Sequence, residues 1–327
     1  MQPSKLKSRT LSVLVIVISA CSAIHVSAQT WPSKSIKLIV PFPAGGPTDS
    51  LARQVAAQLS VKLGQSIVIE NVGGANGSIG MGQVAKAKPD GYTLGLGSNG
   101  SQVTNPLLYS KLAFSPATDL APISMVAEYI NVLVVNKNLP VHNVPELIAY
   151  AKANPGTVNY GSAGNGSSNH FGGFNFARLA GIEATHVPYK GSAPALVDVM
   201  AGNTTFMFDV MVTSMPQVRG GKLRALATSG TLRSQQIPDI PTVSETVPGF
   251  ASVGWFAVFG PAELPTEIAQ RLSREIAKLA QTPESINNLS KQGFEVVVST
   301  PEQLHERMAK ESKLLEPIVK ASGAKVD

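Results

Sequence analysis

A strand-then-helix rhythm, run twice with glycine-rich turns at the strand ends, sets the tightest limit on how this chain can fold. Ile36-Lys37-Leu38-Ile39-Val40 is a short β-rich run. Residues 41–47 break it. From Thr48, apolar side chains at Leu51, Val55, Leu59 and Leu63 fall on one helical face, and Gly64 stops the helix. A strand over 66–70, a helix over 79–87 and a strand over 92–96 follow. After an apolar stretch at 132–135 the rhythm restarts, with helices over 144–153, 168–180 and 193–201. The strands of this second block are 158–160, 184–187, 205–208 and 223–228. An apolar segment at 252–259 and helices over 265–281 and 301–321 close the chain. This spacing predicts right-handed crossovers and largely parallel sheets. Two α/β blocks with two apolar segments between them predict two Rossmann-like lobes joined by two crossing strands. The lobes are expected at 29–128 plus 253–327 and at 129–252, with the C-terminal helices completing the first.

The start of the chain speaks to compartment. Lys5, Lys7 and Arg9 precede an apolar run over 11–23, and Val26-Ser27-Ala28 places small residues at −3 and −1 of a cleavage site. That is a secretory signal over residues 1–28, too short in its apolar part to anchor in a bilayer. Ile18-Ser19-Ala20-Cys21 is also a passable lipobox, through which Cys21 would carry lipid; the alternative is a cysteine discarded with the signal. Cys21 is the single cysteine, so no internal disulfide forms. Removing residues 1–28 leaves 24 of the 27 basic residues against 21 acidic ones, a net +3. No basic run or aromatic-interleaved patch remains, so nucleic acid is not an expected partner, while the mild positive balance suits an anionic ligand. A monomer outside the cytoplasm, soluble or tethered only at its start, is expected.

Two segments carry candidate chemistry. The first is Phe42-Pro43-Ala44-Gly45-Gly46-Pro47-Thr48-Asp49, between a strand and a helix. There the first helical turn leaves N–H groups unpaired and partly positive, and Gly45 and Gly46 clear side chains from the approach. The same residues also suit a tight turn with Thr48 as helix cap. The second is Gly161-Ser162-Ala163-Gly164-Asn165-Gly166-Ser167-Ser168-Asn169-His170, in the equivalent place of the second block. Paired loops of this kind fit a carboxylate held between opposing helix starts. Candidate ligand contacts are therefore Phe42, Ala44, Gly45, Gly46, Thr48 and Asp49 from the first loop. The second loop offers Ser162, Gly164, Gly166, Ser167 and His170, the last as ligand donor or helix cap. Asp49, and Asp209 after the strand at 205–208, would repel an anion unless they order water or meet an ammonium group. Phe42 and Trp255 could be apolar walls or core.

Other patterns point away from catalysis. Gly95-Leu96-Gly97-Ser98-Asn99-Gly100 matches a dinucleotide fingerprint, but Pro106 interrupts the helix that would hold a pyrophosphate. It reads as a βα turn whose Ser98 or Ser101 touches ligand. No GxSxG elbow occurs, and His142, His170, His186 and His305 lack paired-ligand spacing. Neither a cofactor nor a metal is expected. A hydrolase built on Ser162 or Ser167 with His170 and Asp209 is the weakest of the alternatives.

The segments 40–49, Gly73-Gly74-Ala75-Asn76-Gly77 and Lys88-Pro89-Asp90-Gly91-Tyr92-Thr93 resemble the Bug family. So do the 161–170 loop, His186-Val187-Pro188-Tyr189-Lys190-Gly191 and Asp209, in the same order along nearly all of the chain after the signal. Its members are extracytoplasmic solute receptors of tripartite tricarboxylate transporters. The resemblance implies a periplasmic binding protein of Venus-flytrap type that binds a small carboxylate through the 42–49 and 162–170 loops, with waters bridging ligand to backbone. It implies membrane permease subunits as partners and no catalysis. A ligand-sensing receptor that docks on a sensor kinase is the alternative role. Asn76-Gly77-Ser78 departs from the more uniform glycine-alanine run of many members.

Overall fold

A computed structural model describes residues 31–325; the export signal and Cys21 lie outside the described residues. The chain forms a two-lobed α/β structure about one long strand. Strand β1 (Ile36–Val40) lies between β2 (Ile67–Asn71) and β3 (Thr93–Ser98), parallel to both. Beyond β3 come β9 (Val253–Pro261) and then β4 (Leu120–Asn136), each antiparallel to its neighbour. Across the second half of β4 the order continues through β7 (Phe206–Val210), β5 (Asn159–Ser162) and β6 (Thr185–Pro188), the last three mutually parallel. β8 (Leu223–Thr228) and β10 (Phe294–Val296) pair with the free edge of β4, one in each half.

β4 changes partners at a single step. Ile130 is the last residue opposite β9, and Asn131 is the first opposite β7. At that step Asn131 N–H donates to Ser229 Oγ at 2.8 Å, and Ser229 N–H donates to the Asn131 carbonyl at 2.8 Å. Ser229 Oγ donates in turn to the Ser252 carbonyl at 2.5 Å. Three chain segments are thus tied where the lobes meet, with their buried polar groups paired.

Helices cover both faces of each half-sheet. α1 (Pro47–Leu63) buries Leu51, Val55, Leu59 and Leu63, the face its spacing predicts. In the second half of β4, Leu133 and Val135 face α4 (Val144–Ala153) and α5 (Ser168–Ala180), with α2 (Ser78–Ala85) and α3 (Asn105–Leu108) lying earlier in the chain. Val132 and Val134 face α6 (Ser192–Ala201) and α7 (Met211–Arg219). Burial on both faces is why 132–135 is unbroken apolar sequence.

Several elements were not expected from sequence: the first half of β4, α3, α7, α9 (Pro283–Ser290) and β10. In β4, Pro122, Ser124 and Glu128 interrupt the apolar pattern, and the pairing with β9 shifts register twice. Ser299 satisfies the irregular stretch, its carbonyl accepting from Ser124 Oγ at 2.8 Å and its hydroxyl from Met125 N–H at 3.0 Å. α8 (Thr266–Ala277) and α10 (Pro301–Ser322) complete the first lobe. The far end of α10 also reaches the second lobe, where Val319 packs with Leu108 and Phe171. Among the described residues, no helix is long and apolar enough to cross a membrane.

Candidate functional site

The strand ends of the two lobes face one another across a cleft. Turns at the strand ends of both lobes reach it, among them β1 to α1, β5 to α5 and β6 to α6, with Asn76 after β2 and Ser98 to Gly100 at the end of β3. Its floor is made by the hinge strands, with Tyr129 of β4 stacked on Phe256 of β9 at 4.8 Å between ring centres. Gly254 permits this, because a Cβ there would lie 2.1 Å from the Tyr129 ring. The cleft is nearly shut. Asn76 of the first lobe lies 3.0 Å from where a Cβ on Gly166 would stand, and Pro43 lies 3.5 Å from one on Gly191. About 60 Å³ of free interior remains, room for roughly four to six water-sized groups.

The first loop is organised by Asp49. Gly45 takes φ +81°, a conformation that favours glycine, and its N–H donates to Asp49 Oδ2 at 3.0 Å. Arg53 donates twice to the same carboxylate, at 2.9 and 3.0 Å, and Asn71 Nδ2 donates at 3.1 Å. Burial pushes the Asp49 carboxyl up, but these hydrogen bonds and the Arg53 charge outweigh it and hold it below the usual carboxylate range. Asp49 therefore faces back into its own loop, outside the cleft lining. Gly45 lies outside it too, while Phe42, Ala44, Gly46 and Thr48 line it. Gly46 is the N-cap of α1 and offers no side chain to the first helical turn. Gly191 stands in the same position at α6. Two helix starts thus keep unpaired N–H groups and positive dipole ends toward the cleft.

The second loop is braced from behind. Ser162 Oγ is 2.6 Å from His186 Nε2 and accepts from Gly164 N–H at 3.1 Å. His170 stacks on His186 at 3.9 Å, and its Nδ1 accepts from Gly166 N–H at 3.2 Å. Burial pushes both imidazoles down, to about 3 for His170 and about 4 for His186, so both are neutral in the fold near pH 7. Ser162, Gly164, Gly166 and His170 shape the loop without lining the cleft; Ser167 lines it and also caps α5, accepting from His170 N–H at 3.2 Å. Ser98 lines the cleft, whereas fully buried Ser101 closes the turn beneath it by accepting from Ser98 N–H at 3.0 Å. Asp209 is buried outside the lining, bonded to Thr213 Oγ1 at 2.6 Å and to no histidine. The Ser162–His170–Asp209 grouping of a hydrolase is therefore not assembled. Trp255 is core, its Nε1 donating to Glu311 at 2.6 Å.

Residues missed in the sequence complete the site. Lys190 is the single charged side chain of the lining, which contains no carboxylate. It precedes Gly191 in the turn from β6 to α6, and the strand-end rule that found the 42–49 and 162–170 loops applies there equally. Asn76 and Asn99 line the cleft with side-chain carbonyl oxygens that are buried and unpaired, suited to a ligand hydroxyl or a bridging water. Tyr129 and Phe256 had no sequence signal, because only the crossing of the strands brings them to the floor. Among the described residues, no group of three His, Cys, Asp or Glu side chains is placed to hold a metal.

Comparison with known proteins agrees with this geometry. A family model described as the tripartite tricarboxylate transporter family receptor matches residues 51–324. Protein BugT of Bordetella pertussis is 37% identical over 322 residues, covering 98% of this chain and 99% of its own. An R. palustris protein solved with adipate superposes with a TM-score of 0.88 at 37% identity, covering 90% of this chain and all of its own. MatC from Rhodopseudomonas palustris, solved with bound malate, gives 0.83 at 31% identity, over 88% of this chain and all of its own. The periplasmic binding protein BugD gives 0.84 at 31% identity, covering 90% and 99%.

Proposed function

Because the chain belongs to the tripartite tricarboxylate transporter family of receptors, we propose that it captures a small carboxylate between its lobes and delivers it to the permease subunits of such a transporter. The family is one of extracytoplasmic solute-binding receptors, not of enzymes. One observation carries the ligand class: two uncapped helix starts and Lys190 converge on a closed cleft lined by no carboxylate. Such a cleft stabilises negative charge and repels none. The acids bound by the R. palustris protein and by MatC support the same class. Contacts are read at Gly46 and Thr48 of the first loop and at Ser167 of the second, with Ser98 beside them. Gly45, Asp49, Ser101, Ser162, Gly164, Gly166, His170 and Asp209 act from behind. The lobes are taken as 29–128 plus 253–327 and 129–252, a division supported by the change of partners at Ile130 and Asn131. The protein is taken to work as a monomer released or tethered outside the cytoplasm.

A thermal-shift screen of malate, adipate, other acids, sugars and cations tests the ligand class. A bound acid at 100 times its Kd should stabilise by about 2.7 kcal/mol. A melting temperature raised by a sugar or a cation, and by no acid, sinks the reading.

A further inference from the structure

Behind the cleft stands a buried acid that anion capture leaves unused. Asp209, the penultimate residue of β7, is fully buried; Thr213 Oγ1 donates to one carboxyl oxygen at 2.6 Å, and the other has no partner. Strand alternation puts it on the face of Met207, which packs against α6. Ser192, the first residue of α6, lies close enough to this carboxyl to stabilise its charge and also lines the cleft, as does Val210 next to Asp209. A carboxylate in the cleft and Asp209 in the core would therefore meet the same uncapped helix end from opposite sides.

No cation answers Asp209, which forms no ion pair among the described residues. From β4 it feels Tyr129, whose hydroxyl pairs with Ser168 Oγ at 3.1 Å and whose ionisation burial pushes up to about 12. From α7 it meets Thr213, and from α6 Ser192. Around the cleft stand the neutral His170 and His186, the exposed Lys190, and Glu311 of α10. Glu311 reaches the lining through Asn99 at 3.4 Å but has Arg307 3.8 Å away. Asp209 alone among these acids lacks an opposing charge. Like charges sharing one low-dielectric site do not both stay ionised.

We propose that Asp209 is a specificity-determining residue that admits a carboxylate only in its neutral form, so that capture of the acid takes up one proton. The inference rests on the carboxylate reading above. Before any ligand arrives, burial, opposed by the Thr213 hydrogen bond and the nearby Ser192 hydroxyl and Val210 N–H, has already pushed the carboxyl up to about 7. Ligand charge on the far side of the helix end then draws the proton on. The proton moves from solvent to the Asp209 carboxylate, and no bond of the ligand changes.

Isothermal titration with malate and with adipate, from pH 5.5 to 8.5, corrected for the acids' own ionisation at the low end and run in zwitterionic buffers of different ionisation enthalpy, tests this. The wild type should take up about one proton per acid bound near pH 8 and none near pH 5.5. Its Kd should rise about tenfold per pH unit above 7. Asp209→Asn should bind with a pH-independent Kd and no proton uptake, while Glu311→Gln keeps the wild-type pattern. Binding that is flat with pH in the wild type, or linkage that survives in Asp209→Asn, overturns the proposal. If neither acid binds at pH 5.5, the carboxylate reading falls and takes the proposal with it, an outcome distinct from pH-independent binding.

Discussion

Asp49 and Asp209 look alike in the sequence, each an acid beside the start of a helix, and their surroundings give them opposite electrostatics. Asp49 accepts from Gly45, Arg53 and Asn71, so its charged form is favoured. Its contribution to stability is present above the unfolded-state pKa of ~3.9 and is lost as pH falls through the lower folded value. Asp209 has no cation and one idle oxygen, so burial favours its neutral form and lifts it to about 7. The folded state then holds a proton the unfolded state has released. Asp209's contribution is complete below ~3.9 and is lost as pH rises through about 7. Asp209→Asn keeps the shape and removes the charge. Its melting temperature should exceed that of the wild type by a margin that grows between pH 4 and 7 and levels off above. A margin that does not vary with pH would show that Asp209 is not held neutral by the fold.

At the scale of elements, the cleft is walled by helix starts, and the glycine-led starts of α1 and α6 are left without a side-chain cap. Gly46 at the start of α1 takes an ordinary φ of −83°, and a Cβ there meets nothing nearer than the Pro43 carbonyl at 3.5 Å. Gly46→Val should therefore fold with a melting temperature near the wild type while its methyl groups cover the α1 start. Up to about 2 kcal/mol of helix-end stabilisation would be withdrawn from a bound acid, roughly a 10- to 30-fold rise in Kd by calorimetry. Wild-type affinity would make the first loop only a turn. Most elements were legible because their apolar periods are local: α1, α4, α5 and β8 begin and end within a residue of the sequence reading. Those missed have no clean period of their own. α7 carries Thr213 and Ser214, whose hydroxyls bond back to the Val210 carbonyl, and it contains Pro216. The first half of β4 is bulged, Ser124 there is satisfied by Ser299, 175 residues away, and Glu128 pairs with Arg307.

For the whole molecule, closure is held by contacts that belong to neither lobe alone. Phe171 of α5 packs with Leu108 and with Val319 near the end of α10, an apolar cluster between the lobes. Phe171→Ala leaves each lobe its own core and removes apolar contact from the closed form alone. Losing about 1–2 kcal/mol there lowers the closed population and should raise the apparent Kd about 5- to 30-fold. The ligand-free protein should also show a larger radius of gyration in small-angle scattering. An unchanged Kd and radius would mean that this cluster does not hold the lobes together. The sequence by itself determined the two α/β blocks, the glycine turns at strand ends and the resemblance to a receptor family, because periodicity and turn chemistry act over a few residues. Only the tertiary structure decided which residues face the cleft. It turned Asp49 back into its loop, set Ser162 against His186, and brought Lys190, Tyr129 and Phe256 to the wall and floor. Those placements depend on how strands from distant parts of the chain cross and on which buried polar groups find partners. No spacing along the sequence encodes either.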